Sequence, residues 1–209
     1  MSKQTTTKMK KLLILAILMN IVFIPISFAQ NDPLLESTIK SVLKSFKNQD
    51  NQLLQQHIHP KYGVIYWNKI GVPINQSIFQ KSEFKFPDQH SPESTRWFYE
   101  TPNAQEKLIK TNQLPEMDCQ NWNKSGLYYK TLTTKPFSDL TKFNQSIIEQ
   151  TDKQIAHELK QLKPFEKQIV ELQYVGKSRS IRDDLHLYFS KIDKQWYLSA
   201  FDNSGNCDA

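Results

Sequence analysis

Apolar residues recur at helical spacing in the first part of the chain after residue 31. Asp32-Pro33 predicts a helix start, because Asp caps free amides and Pro suits the first helical position. The apolar residues that follow share one face of this helix: Leu35, Ile39, Val42, Leu43 and Phe46. A short second helix is predicted to place Leu53, Leu54 and Ile58 inward and to stop at Pro60.

The pattern then changes to that of strands and loops. Gly63–Trp67 is rich in β-branched and aromatic residues, which favours a strand. Residues 71–120 are interrupted by five prolines and predict a loop-rich excursion on the main body. Further strands are predicted at Thr95–Glu100 within this excursion and at Gly126–Thr133 after it.

A second helical stripe follows, and it predicts one long helix from Ser138 to about Leu162, ending before Pro164. Its apolar positions are Leu140, Phe143, Ile147, Ile148, Ile155, Leu159 and Leu162.

Three strands close the predicted fold. Apolar and polar residues alternate in Gln168–Val175, in Leu185–Phe189 and in Trp196–Phe201, with a tight connection at Lys191–Gln195. A period of two with one apolar face is typical of an antiparallel sheet packed on helices. We therefore predict an α+β fold, in which an antiparallel sheet packs on the N-terminal helices and on the one long helix.

The first 29 residues have the pattern of a cleavable secretory signal. Four lysines precede an apolar run from Leu12 to Ile24, Pro25 ends the run, and Ser27 and Ala29 are the small residues required before a cut. The run is shorter than the roughly 20 apolar residues of a membrane span, although a retained membrane anchor is the rival interpretation. We expect cleavage near Ala29-Gln30, a periplasmic or secreted mature protein that is not membrane-bound, and one α+β domain over residues 30–209.

Removal of this segment changes the charge of the protein. The chain has 27 basic and 21 acidic side chains, and four of the basic ones lie in residues 1–29, which leaves 23 against 21 and a net charge of +2. A charge that small, with no Lys/Arg cluster, gives no indication of nucleic-acid binding.

The expected compartment also bears on the two cysteines, Cys119 and Cys207. In an oxidising environment an even pair favours a disulfide over two thiols. The bridge would close a long loop and add on the order of 4 kcal/mol to stability. A metal site is a poorer alternative, because no histidine lies within a few residues of either thiol, and a catalytic thiol has no support.

Two stretches resemble the nuclear-transport-factor-2-like (cystatin-like) superfamily. Phe46–Asp50, Ile58-His59-Pro60 and the strand Gly63–Trp67 are similar to the paired N-terminal helices that lead into the first strand. Leu185–Phe189 and Lys191–Leu198 are similar to the closing hairpin. The resemblance implies a cone-like fold in which a curved sheet wraps round helices. The superfamily includes isomerases, dehydratases and many non-catalytic binding domains, so it does not fix a function.

Two histidine-containing pairs are candidates for chemistry. His57 and His59 form a His-x-His pair, but they fall at a predicted helix end and no third ligand can be named from spacing. We expect one ring to cap the last helical carbonyls and the other to face solvent, and we predict no metal ion or cofactor.

Asp184 and His186 are two apart on a predicted strand, so they share a face. Enzymes of the superfamily can use such carboxylate and His groups as acid and base in the cone. Glu171 and His59 would join them if a concave pocket existed. The alternative is an ordinary sheet-surface pair in which His186 points to water or to a partner.

Adjacent aromatic residues are the candidates for a binding surface. Tyr66 and Trp67 lie side by side on a predicted strand, and Trp97 and Tyr99 belong to an aromatic run; Trp122, Tyr128 and Tyr129 form a further group. Neighbours on a strand point to opposite sides, so some of these rings are expected outside the core, where they would serve as contact residues.

The sequence lacks a Gly-x-Ser-x-Gly elbow, a phosphate-binding Gly-rich loop, His-Glu-x-x-His and Cys-x-x-Cys. Our leading hypothesis is an exported, non-catalytic domain that binds an envelope or secreted protein or a small ligand. An inhibitor or immunity-type protein is a more specific version. The alternative is a small isomerase, dehydratase or hydrolase that uses a carboxylate–His pair in a cone-shaped pocket.

Overall fold

The computed structural model describes residues 32–69, 73–87, 102, 105–180 and 184–205. Every one of these residues except Asp32 belongs to one compact unit, Pro33–Ala209. The predicted signal segment at residues 1–29 and the predicted strand Thr95–Glu100 lie outside the described residues.

The two N-terminal helices are present as predicted: α1 spans Pro33–Asn48 and α2 spans Asn51–Gln56. Gln49 adopts φ 52°, the left-handed conformation that ends many helices, and the N–H of Asp50 donates to the Ser45 carbonyl at 2.9 Å. The Asp50 side chain then accepts the Leu53 N–H at 2.9 Å and caps α2. A single tight junction thus sets the angle between the two helices.

The single long helix predicted for residues 138–162 is wrong. The structure has two helices instead, α3 at Pro136–Gln145 and α4 at Asp152–Leu162, followed by a 3₁₀ turn at Lys163–Glu166. Thr151 and Gln154 form a reciprocal capping box, which starts a new helix and interrupts the stripe. Three residues expected in the core are consequently exposed: Phe143, Ile147 and Ile148.

Seven strands form one sheet in the order β2-β1-β7-β6-β5-β4-β3. The α+β prediction is confirmed, but the sheet is mixed, because β1 runs parallel to β7 and β3 runs parallel to β4. The strands β2 and β3 fall within residues 71–120, where only loops and one other strand were predicted. The strand bounds are β1 Val64–Lys69, β2 Ile74–Phe79, β3 Leu108–Lys110, β4 Gly126–Leu132, β5 Ile169–Val175, β6 Asp184–Ile192 and β7 Gln195–Asn203.

The closing hairpin has a two-residue turn and an irregular register. Asp193 and Lys194 both have positive φ, as a type I′ turn requires. Pairing is regular from this turn to Phe189, which lies opposite Leu198. A bulge then leaves Ser199 without a partner residue, so that Tyr188 lies opposite Ala200 and His186 lies opposite Asp202.

The two faces of the sheet are covered differently. On the first face, α1 and α2 bury a continuous apolar layer that includes Leu172, Leu187 and Leu198. On the second face, Phe137 of α3, Leu162 of α4 and neighbouring side chains cover an apolar patch around Trp67 and Tyr188. Strand residues further along the second face are polar, and the site described below lies among them. No helix in the described part of the chain is long and apolar enough to cross a membrane.

Candidate functional site

Four charged side chains meet on the second face of the sheet because of strand register. Lys130 of β4 lies directly opposite Glu171 of β5, and His186 of β6 lies directly opposite Asp202 of β7. Glu171 lies opposite Tyr188, one step diagonally from His186. Directly opposite residues on one face are about 5 Å apart and diagonal ones lie within reach of long side chains, so the pairing alone brings these groups together.

His186 is held between two carboxylates. Its Nε2 lies 2.8 Å from Glu171 Oε1, and its Nδ1 lies 3.2 Å from Asp202 Oδ2. A neutral ring would direct a lone pair at one carboxylate, so this geometry requires the imidazolium, which donates from both nitrogens. Burial opposes the charge, but the hydrogen bonds and charges of Asp202 and Glu171 outweigh it and raise the pKa of His186 to about 10.

The carboxylates have further partners. Lys130 Nζ donates to Glu171 Oε2 at 3.0 Å, and the Tyr188 hydroxyl donates to Oε1 at 3.3 Å. The Ser204 N–H and hydroxyl donate to Asp202 Oδ1 at 2.9 and 2.6 Å. Burial alone would raise the pKa of both acids, but the partners of each, His186 first among them, lower it. At neutral pH two cations and two anions therefore balance in this cluster.

The sequence paired His186 with the carboxylate of Asp184, but His186 bonds to two other carboxylates in the structure. The acids on His186 are Glu171 and Asp202, because cross-strand neighbours lie closer together than residues two apart along one strand. The alternative was a sheet-surface pair in which His186 points to water or to a partner, and 15% of the His186 side chain is exposed.

A cavity of about 580 Å³ opens beside this cluster. Lys130, Glu171, Gln173 and His186 of the sheet form one wall, and the segment 112–122 forms the other. The second wall is mixed in character, with apolar and polar side chains from Asn112, Gln113, Leu114, Pro115, Glu116, Met117 and Trp122.

Backbone hydrogen bonds hold the 112–122 segment in place. The N–H of Trp122 donates to the Arg179 carbonyl at 2.9 Å, and Asn123 N–H donates to the Glu116 carbonyl at 2.9 Å. Asp118 Oδ1 accepts two backbone N–H groups at the tip of the turn, and these bonds lower the pKa of Asp118. Asn121 pairs with Ser180 and Trp122 bonds to Arg179, and because both partners follow β5, these contacts fix the 112–122 segment over the sheet.

Trp122 has an unusual place in this wall. Its side chain is buried, with 2% of the residue exposed, yet its indole Nε1 has no hydrogen-bond partner among the described residues. Buried donors are paired in the great majority of cases, so the unpaired indole N–H of Trp122 is an exception among the described side chains.

Of the two aromatic candidates on the first strand, Trp67 is a core residue and Tyr66 is partly buried against the core. The Tyr66 ring packs against Phe79, Phe84 and Phe201, and its hydroxyl accepts a bond from Asn203 at 2.9 Å. Trp67 is buried on the opposite face, where its Nε1 donates to Gln76 Oε1 at 2.7 Å. Adjacent rings point to opposite sides as expected, but this sheet is covered on both sides.

The His57 ring bonds to α1, and the His59 ring bonds to the turn that follows α2. His57 Nε2 lies 2.7 Å from the Ser41 hydroxyl. The expected solvent-facing ring is absent, because His59 is buried against Tyr62 and its Nδ1 accepts the backbone N–H groups of Lys61 and Tyr62. Burial lowers the pKa of both histidines. Within the described ranges, no three His, Cys, Asp or Glu side chains are placed to share a metal ion.

Three sequence candidates, Trp97, Tyr99 and Cys207, lie outside the described residues. Cys119 lies at the exposed tip of the 112–122 segment with φ 69°. The sequence did not single out Lys130, Gln173 or Asp202. Lys130 and Gln173 alternate with the apolar residues of well-predicted strands, and that is the signal that could have found them.

The fold and the cavity together define an α+β domain with a pre-formed polar site on one face of its sheet. Comparison with models of protein families, with curated proteins and with solved structures gave no match to this chain.

Proposed function

We propose that this protein is an exported, non-catalytic binding domain of the cell envelope, and that the cavity between the 112–122 segment and the sheet is its ligand site. The observation that carries the proposal is the state of His186 in the cavity wall. With both ring nitrogens donating to Glu171 and Asp202, His186 has no lone pair with which to accept a substrate proton. This arrangement of His186 supports a wall that binds a ligand over one that uses His186 as a base.

The size and lining of the cavity agree with this role. Small-ligand sites commonly have volumes of roughly 300 to 1,000 Å³ and combine apolar side chains with a few fixed polar groups. Leu114, Pro115 and Met117 supply apolar surface here, opposite Lys130 and Gln173.

Export and a disulfide belong to the same proposal. Residues 1–29 carry the pattern of a secretory signal, and cleavage near Ala29-Gln30 would place the mature chain in the periplasm or medium. Cys119 is not a free thiol in the structure, and Cys207 is the one other cysteine of the sequence, which supports a bridge between them. The nuclear-transport-factor-2-like relationship is likewise a proposal, supported by the N-terminal helix pair packed on a sheet that ends in a hairpin.

The test combines localisation with ligand capture. The protein is expressed with residues 1–29 and purified from the envelope fraction, its N-terminus is sequenced, and co-purified small molecules are identified by native mass spectrometry. We expect a start at Gln30 and a bound molecule that is lost in Asn112→Trp, which places bulk at the cavity rim. Lys110→Trp, at an exposed position outside the cavity lining, is the matched control. A start at Met1, or equal ligand occupancy in both variants, would overturn the proposal.

The second candidate function is the cone-pocket isomerase, dehydratase or hydrolase. One observation favours it: His186 and Glu171 do lie together in the wall of a cavity. Proton transfer by His186 requires a pKa near the working pH. An NMR titration that gave His186 a pKa close to 7 would favour this enzyme over the binding domain, and a pKa well above 8 would exclude His186 as its base.

A further inference from the structure

The strand β2 forms one edge of the sheet. It ends the strand order, and β1 is its one neighbour in the described sheet. The Phe79 carbonyl points toward β1, because a side chain placed on Gly63, which directly precedes β1, would collide with it. Backbone direction alternates along an antiparallel strand, so the N–H and C=O groups of Ile74, Gln76 and Ile78 point away from β1.

This edge lacks the features that commonly prevent one strand from associating with another. Edge strands of natural proteins often carry a charged side chain, a proline or a β-bulge. The six residues of β2, Ile74–Phe79, contain no charge and no proline, and their pairing with β1 has no register shift. The outer side of β2 therefore fits one further strand.

An exposed apolar patch adjoins this edge. It consists of Phe143, Ile147 and Ile148, at the end of α3 and in the turn after it, and these residues are 57%, 41% and 39% exposed. Asn144 lies within the patch, since its carbonyl accepts the N–H groups of both isoleucines at 2.8 Å. The Asn144 amide donates to the outward Ile74 carbonyl at 2.7 Å, which places the patch beside the start of β2. Grouped apolar side chains of this kind are typical of a protein contact.

The sequence of β2 is complementary to a second copy of itself. A contact between identical surfaces has twofold symmetry, so two copies of one strand run antiparallel. In the register centred on Gln76, this residue lies opposite its own copy, Ile74 lies opposite Ile78, and Asn75 lies opposite Ser77. Apolar side chains then meet apolar ones, polar ones meet polar ones, and no like charges face each other. The outward backbone groups of the two strands also meet, as a ladder of hydrogen bonds requires.

We propose that two copies of this chain associate through their β2 edges, in antiparallel pairing centred on Gln76, with the apolar patch of each copy packed on the β2 strand of the other. The patch lies beside Ile74, and Ile74 faces Ile78 of the second copy, so the patch covers that end of the strand. The cavity is lined from β4, β5 and β6, away from this edge, so the inference does not depend on the proposed ligand site.

The test is sedimentation equilibrium of the mature protein at micromolar to submillimolar concentrations. We expect a reversible equilibrium between monomer and dimer. Asn75→Lys combined with Ser77→Lys places a lysine opposite a lysine on both sides of the symmetry axis. Because like charges directly opposite each other destabilise strand pairing, the dissociation constant of the dimer should rise about tenfold or more.

A charge reversal tests the register itself. Asn75→Lys combined with Ser77→Glu places each new lysine opposite a new glutamate of the second copy, so dimerisation should be restored. Thr131→Lys combined with Thr133→Lys is the matched control, because it adds two lysines at the same spacing at exposed positions away from β2. This control should leave the dissociation constant unchanged.

The apolar patch gives a second measurement that does not alter β2. Phe143→Ser combined with Ile148→Ser should also raise the dissociation constant about tenfold, and it keeps the inference testable should a β2 variant fail to fold. Circular dichroism shows whether each variant is folded.

The outcomes that would overturn the inference are distinct. A protein that is monomeric at every concentration has no such interface. A dimer that tolerates Asn75→Lys with Ser77→Lys, or that the lysine–glutamate combination does not restore, associates through another surface or register. A dimer that persists on a non-reducing denaturing gel is held by a disulfide and not by β2. Asn112→Trp, at the cavity rim, should leave the dimer intact, so failure of the ligand site and failure of the dimer are separate results.

Discussion

At the scale of single residues, the charge of His186 depends on Asp202, and Asp202 depends in turn on Ser204. Both Ser204 donors bind Asp202 Oδ1, which leaves Oδ2 directed at the imidazole. A buried cation is tolerated only when it is paired, so the loss of either carboxylate would leave His186 with uncompensated charge or force it to release its proton.

We expect Asp202→Asn to lower the pKa of His186 and to reduce the free energy of unfolding by about 3 kcal/mol or more. NMR titration of the His186 ring and urea denaturation measure the two quantities. Asp139→Asn is the matched control, because Asp139 and Lys142 are exposed at 57% and 60% and their pair should contribute less than about 1 kcal/mol. A His186 pKa that is the same in Asp202→Asn and in the unmodified protein would contradict the proposed geometry.

The same cluster predicts how stability varies with pH. The folded pKa of His186 is about 10, above its ordinary 6.5, so its contribution is complete below pH 6.5 and is lost as the pH rises from 6.5 toward 10. The folded pKa values of Glu171 and Asp202 are lowered from 4.5 and 3.8, so their contribution is present above those values and is lost as the pH falls below them.

Urea denaturation at pH values from 3 to 10 should therefore show a decline in stability as the pH rises from 6.5 toward 10 and a second decline as it falls below about 4.5. The lowered pKa values of His57 and His59 add a loss of stability as the pH falls below 6.5. In His186→Asn the decline on the alkaline side should become much shallower. His157→Asn, a change at an exposed histidine of α4, should leave it as it was. A stability that increased from pH 7 to pH 9 in the unmodified protein would show that His186 is not held as the cation.

At the scale of elements, sequence periodicity predicted α1, α2, β1, β4, β5, β6 and β7, because each buries an alternating or helical apolar face. It did not predict the bulge at Ser199. In a regular antiparallel hairpin the residue numbers of every opposite pair have the same sum, as they do for Ile192 with Gln195 and Phe189 with Leu198. By that rule His186 would lie opposite Phe201, and not opposite Asp202. One unpaired residue therefore moved Asp202 into the site, and no periodic pattern shows where such a residue lies.

Periodicity also gave a wrong helix boundary, because the apolar residues of α3 and α4 continue one helical pattern. The prediction of a single long helix left out Thr151, whose capping box with Gln154 begins α4. β2 was missed because its flanks are rich in loop residues and its exposed positions are polar, as is common for a strand at a sheet edge.

The turn of the closing hairpin offers a test at this scale. Lys194 has φ 69°, a conformation that costs an L-residue roughly 1 to 2 kcal/mol and costs Gly little. We expect Lys194→Gly to raise the free energy of unfolding by about 1 kcal/mol, as measured by urea denaturation. Lys194→Ala keeps a Cβ at the same φ and should bring no such gain. Equal effects of the two substitutions would show that loss of the lysine side chain, and not backbone strain, is responsible.

At the scale of the whole molecule, the last strand lies in the interior of the sheet. β7 pairs with β6 on one side and, in parallel, with β1 on the other, so it joins the first strands of the chain to the last ones. Its side chains contribute to both apolar layers, with Leu198 on one face and Ala200 on the other. A sheet built this way depends on contacts between residues distant in sequence, which sequence periodicity does not reveal.

A pair of truncations tests this dependence. Ending the chain after Lys194 removes β7, so β1 and β2 lose their link to β6 and both apolar layers open to water. We expect no cooperative unfolding transition and no near-ultraviolet circular dichroism from that variant.

Ending the chain after Gly205 keeps all seven strands of the sheet but removes Cys207. This variant should unfold cooperatively at a lower midpoint, and its free energy of unfolding should fall by on the order of 4 kcal/mol if the proposed bridge to Cys119 forms. Cys119→Ser in the full chain should show the same loss, because it removes the same bridge without shortening the chain. A cooperative transition in the chain ending at Lys194 would mean that β7 is dispensable to the fold, contrary to what its place between β1 and β6 predicts.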